Sequence, residues 1–109
     1  MGGQIELVRG TLDLMILRTL SLQPMHGLGV SRRIEQLTKG AFQVKPGSLF
    51  PALRRLENEG WIEGEWGRSE NQRRARYYRL TAAGRRRLGI EQRNWSQVVR
   101  AISLVLEAT

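Results

Sequence analysis

The segment VKPGSLFPALRRLENEG, residues 44–60, restricts the fold more than any other part of the chain, because it joins a helical pattern to two prolines. Taking Leu49 as the centre of one face, Ala52, Leu53 and Leu56 lie within about 60° of it at about 100° per residue, whereas Pro51, Arg54 and Asn58 point the opposite way. Gly60 follows in the position where a left-handed residue closes a helix. A proline in a helix interior costs about 3 kcal/mol, because it lacks an N–H and crowds the carbonyl four residues back, but in the first turn that N–H has no partner anyway. Pro51 therefore predicts a helix that begins near Ser48 and runs to Glu59, with Gly47 as N-cap and Pro46 keeping the approach extended. One face of this helix is core and the other is offered outward.

The neighbouring periodicities give it a context. Residues 7–22, LVRGTLDLMILRTLSL, are apolar around most of the circumference, which predicts a helix buried on several sides. Pro24 and Gly27 end it. Over residues 28–38 a stripe of Val30, Ile34 and Leu37 predicts a second, amphipathic helix, stopped by Gly40. After Gly60 the period falls to two: WIEGEW, residues 61–66, and RARYYRL, residues 74–80, alternate as strands, and the polar GRSENQRR between them predicts a hairpin with a charged tip. Thr81 is a good N-cap for a fourth helix, although Gly84 stands where a capping box would place Glu or Gln. From there to Glu107 a seven-residue repeat puts Leu88, Trp95 and Ile102 in one seam position and Glu91, Val98 and Val105 in the other. A helix of about 25 residues is about 37 Å long, more than so small a domain can cover. Its seam calls for a partner helix, most simply that of a second copy.

The 109 residues carry a formal charge of +8, from 18 Lys and Arg against 10 Asp and Glu, and residues 31–87 hold all of that excess. A polyanion is the expected partner, nucleic acid before an anionic membrane. Cysteine is absent, which excludes disulfides, thiolate nucleophiles and cysteine metal sites. The only histidine, His26, and the only aspartate, Asp13, provide neither a catalytic triad nor a recognisable metal site, and no cofactor is expected. No stretch approaches the roughly 18 apolar residues of a membrane span. In VVRAISLVLEA the single basic residue, Arg100, is too little charge for peripheral membrane binding. These features predict a soluble, cytoplasmic, non-enzymatic protein.

Three helices followed by a two-stranded hairpin are the plan of a winged helix-turn-helix, mainly α with a two-stranded β wing, here extended by a long C-terminal dimerisation helix. Residues 1–80 would form the DNA-binding domain and residues 81–109 the dimerisation helix. In this plan the third helix enters the major groove of double-stranded DNA, placing Lys45, Gly47, Ser48, Pro51, Arg54 and Arg55 at the interface. Free amides at Gly47 and Ser48 suit a phosphate. In the wing, Arg73, Arg74 and Arg76 are spaced to follow a phosphate backbone. The run Arg85, Arg86 and Arg87 is read as a solvated helix face.

The blocks RGTLDLMILRTL, HGLGVSRRIE, PGSLFPALRRLENEGWIEGEW and RRARYYRLTAAG, in that order, resemble those of the PadR family of bacterial transcriptional regulators, from about residue 8 to residue 88. Leu28 and Phe50 stand where family members usually carry tyrosine. The resemblance implies a repressor that binds a palindromic operator as a homodimer, joined by its last helix through Leu88, Trp95, Val98, Ile102 and Val105. It also gives Trp95 a second role beside packing, because some members take flat aromatic molecules between tryptophans at the dimer centre. The competing readings are a winged helix used for protein interaction and one used for RNA, both without operator binding.

Overall fold

The computed structural model describes residues 10–68 and 71–109, which form four helices and a small antiparallel sheet. In chain order these are α1 (Thr11–Leu22), β1 (Met25–His26), α2 (Gly27–Leu37), α3 (Pro46–Asn58), β2 (Ile62–Arg68), β3 (Arg74–Leu80) and α4 (Ala82–Leu106). Ile16, Leu17 and Leu20 of α1, Val30 and Ile34 of α2, and Leu49, Leu53 and Leu56 of α3 meet in one core, which Ile62 and Tyr78 of the sheet complete. The buried residues of α3 are the four that the periodicity placed on its inner face, and Pro51, Arg54 and Asn58 are exposed.

Several boundaries differ from expectation, each for a physical reason. The first helix begins at Thr11, behind Gly10 in a left-handed conformation (φ 95°); residues 7–9 lie outside the described residues. The third helix begins at Pro46 rather than near Ser48, with Lys45 and not Gly47 as N-cap. Pro46 takes the first helical position, where its missing N–H costs nothing. Pro51 is therefore a second-turn residue and forfeits the bond its amide would have made to the Gly47 carbonyl. Gly47 is exposed, so water can satisfy that carbonyl, and the loss stays small enough for the helix to continue. At the other end, Gly60 (φ 79°) completes a Schellman closure, its N–H donating to the Glu57 carbonyl at 2.9 Å and that of Trp61 to Leu56 at 3.1 Å.

The sheet has three strands, in the order β1-β3-β2, where the sequence predicted two. Met25 and His26 pair with Tyr78 and Tyr77, an element too short to show a period. His26 also caps α2, its Nδ1 accepting from the Gly29 N–H at 3.0 Å. β2 runs two residues beyond the expected end, with Gly67 opposite Ala75 and Arg68 opposite Arg74. This shortens the hairpin loop, of which Ser69 and Glu70 lie outside the described residues.

α4 is tied to the rest at its first turn. The Thr81 hydroxyl accepts from the Gly84 N–H at 3.0 Å and donates to the Gly60 carbonyl at 2.7 Å, while the Thr81 N–H donates to the Trp61 carbonyl at 3.1 Å. The missing capping-box residue is thereby explained: a Cβ on Gly84 would lie 2.0 Å from the Trp61 carbonyl oxygen. Leu88, one turn further, is 7% exposed and belongs to the chain's own core. Its side chain, placed in the seam by the heptad spacing, packs within its own protomer, so the apolar surface left open on α4 begins further along the helix.

Candidate nucleic-acid interface

The outward face of α3 is built from its N-terminus upward. Lys45, Gly47, Ser48, Phe50, Pro51, Arg54 and Asn58 are all exposed. Lys45 serves as N-cap, and its carbonyl accepts from the Ser48 N–H at 2.9 Å, so the pair of amides expected to be free for a phosphate narrows to Gly47. Phe50 lies partly over the start of α2, where a Cβ on Gly27 would come within 2.9 Å of the ring. Gly27 thus leaves room for an aromatic ring at this position while 43% of Phe50 stays exposed. Beside it, Phe50, Pro51, Arg54 and Asn58 share the rim of a shallow surface depression.

The arginines divide into two groups. Arg54 is exposed and lies along the outward face. Arg55 turns to the side and pairs with Asp13 of α1, an ion pair that contributes about 0–1 kcal/mol and leaves more than half of the Arg55 side chain exposed. In the wing, Arg73 and Arg74 are exposed, and the Arg74 guanidinium lies 4.4 Å from the centre of the Trp66 ring. Arg76 faces inward instead. It pairs with Glu57 of α3, and its guanidinium is 5.6 Å from the Trp66 ring centre and 5.9 Å from that of Tyr78. The hydrogen bond to Glu57 raises the affinity of Arg76 for its proton above that of an ordinary arginine, and burial does the same for the Tyr78 hydroxyl. Arg85 and Arg86 are exposed, but Arg87 stacks 4.7 Å from the Trp61 ring centre and pairs with Glu91 at 2.6 Å. That pairing explains why a carboxylate interrupts the heptad seam.

Glu57, Gly64 and Trp66 are the residues that sequence reasoning passed over. The alternation of WIEGEW held a signal, since Gly64 and Trp66 share a strand face and face Tyr78 and Arg76 across the ladder. What it could not show is that α3 reaches this face through Glu57.

Beyond Glu91 the apolar seam of α4 is uncovered. Trp95 is 48% exposed, and Val98, Ile102 and Val105 are exposed along the same helix. Trp95 borders an apolar depression of about 390 Å³ between α1, α2 and α4, with Leu14, Met15 and Leu37 on its other walls. Among the described residues, no group of three or more His, Asp or Glu could hold a metal ion, and no helix is long and apolar enough to cross a membrane.

A helix with a basic outward face, packed against a hairpin that carries arginines, defines a winged helix-turn-helix of the DNA-binding kind. The model of the transcriptional regulator PadR-like family matches residues 16–90, and the chain belongs to that family. It is thus a non-enzymatic, DNA-binding transcription regulator. It is 32% identical over 97 residues to a transcriptional regulator of Mycobacterium tuberculosis, covering 89% of this chain and 87% of that one. A protein of Lysinibacillus sphaericus is 31% identical over 102 residues, 94% of each chain. Among solved structures, a transcriptional regulator from Clostridium thermocellum superposes with a TM-score of 0.80 at 29% identity, over 87% of this chain and 92% of that one. A PadR family regulator from Eggerthella lenta gives 0.78 at 28% identity, over 93% and 86%.

Proposed function

We propose that the protein is a cytoplasmic repressor that binds a palindromic operator as a homodimer. The exposed apolar seam of α4 carries this reading, because Trp95, Val98, Ile102 and Val105 would remain in water unless a second copy covered them. A two-fold dimer presents two copies of α3, and matching half-sites about one helical turn apart, roughly 34 Å, follow from that symmetry. Lys45, Gly47, Ser48, Pro51 and Arg54 meet the major groove, with Arg55 at its margin, and Arg73 and Arg74 grip the adjacent backbone. With a DNA face and a self-association face as its main outward features, the molecule acts by occupying a promoter. Ile102→Asp places a charge in the seam and should turn the dimer into a monomer in sedimentation equilibrium, with operator affinity falling at least tenfold. A dimer that survived this substitution would remove the seam from the interface.

A second reading, in which a small aromatic effector docks beside Trp95, is favoured by the apolar depression there. A planar aromatic dye bound at that place should quench tryptophan fluorescence in the native protein and lose most of its quenching in Trp95→Leu. Equal quenching in both would exclude the site.

A further inference from the structure

Arg76 is one of three wing arginines that the sequence offers to DNA, yet its surroundings give it different work. Its cross-strand partner in β2 is Trp66, and the next pair on the same face is Gly64 with Tyr78. A Cβ on Gly64 would stand 2.5 Å from Nε and 2.8 Å from Cζ of Arg76, so the absence of a side chain there is what lets the guanidinium lie down across the hairpin. In that position it lies within cation–π distance of Trp66 and Tyr78 and ends on the Glu57 carboxylate, with both members of the ion pair about 30% exposed. Trp66 in turn supports Arg74, whose guanidinium lies 4.4 Å from its ring centre. A continuous series of contacts therefore leads from the recognition helix to an exposed wing cation: Glu57, Arg76, Trp66, Arg74.

We propose that Arg76 is a positioning residue rather than a DNA contact, and that with Glu57 and Trp66 it holds the Arg74 end of the wing at a fixed place relative to α3. The fixed spacing matters because the two elements must reach separate parts of the duplex at once, and a wing free to swing would lose conformational entropy on binding. The proposal rests on the reading of α3 and the wing as the DNA-binding surfaces.

The two roles predict opposite signs for one substitution. Glu57→Gln removes a negative charge beside a polyanion, so if Arg76 contacted phosphate the change should tighten binding. As an anchor for Arg76, Glu57 is needed, and Glu57→Gln should weaken binding about three- to tenfold. The test measures fluorescence anisotropy on a mixed-sequence 30-base-pair duplex at several salt concentrations, with thermal melting to verify folding. Arg76→Gln should lower affinity without reducing the salt slope, whereas loss of a true phosphate contact reduces it by about one per contact. The double variant should bind no more weakly than the weaker single one, since both break the same link. Should Arg76→Gln fail to fold, Arg76→Lys answers instead: it keeps the charge but not the planar fork, and reduced affinity at an unchanged slope supports positioning. Tighter or unchanged binding by Glu57→Gln, a slope lowered in Arg76→Gln by about 1.8, for two contacts per dimer at about 0.9 each, or native affinity in Arg76→Lys would each overturn the proposal. Absence of duplex binding by the native protein would instead remove the DNA-binding reading beneath it.

Discussion

Replacing Gly84 with alanine should destabilise the protein by several kcal/mol, although helix propensity alone argues for a gain of about 1 kcal/mol. The added Cβ would stand 2.0 Å from the Trp61 carbonyl oxygen and 2.7 Å from a Leu80 methyl. The carbonyl is fixed by the Thr81 N–H, at 3.1 Å, and that backbone leads directly out of the closure of α3. Relief would require α4 to lift from the domain, uncovering Leu88 and loosening the Thr81 cap. Against a total stability of about 5–15 kcal/mol for such a domain, a loss of about 3 kcal/mol or more would be readily seen in urea unfolding. A variant within about 1 kcal/mol of the native protein would show that α4 is not held at this point.

The second large effect concerns the wing. Arg73→Ala with Arg74→Ala should weaken binding to DNA on the order of a hundredfold at physiological salt, for specific and mixed-sequence duplexes alike, because phosphate contacts carry no sequence preference. Four lost contacts per dimer would flatten the logarithmic salt slope by about 3.6, at about 0.9 per contact. Arg74→Ala also removes the stacking on Trp66, so part of the loss is of pre-set geometry. A salt dependence like that of the native protein would take these arginines out of the interface.

The parts legible in the sequence are those governed by a local period. The inward face of α3, the outward placement of Arg54 and the Thr81 cap are all set by spacing, and they stand in the structure as expected. Features that depend on what lies across a gap are not legible. β1 has two residues and exists because Tyr77 and Tyr78 offer it a ladder. In the sequence Gly84 looks like a flaw in a capping motif, and only the Trp61 carbonyl lying against it gives it a reason. Arg74 and Arg76 are indistinguishable in the string RRARYY, but Glu57 draws one inward, while Trp66 supports the other at the surface. The start of α3 departs from the proline rule as applied to Pro51, because Pro46 already holds the first position and an exposed carbonyl makes the second proline tolerable.

The central claim is that two copies of α3 and the wing read a symmetric site on one face of the duplex. Hydroxyl-radical protection mapping on the DNA upstream of the protein's own gene tests it most directly. Two protected patches, related by a two-fold axis and centred about one helical turn apart, are the expected result. Continuous protection without symmetry, or none at a protein concentration that saturates mixed-sequence DNA, would contradict it.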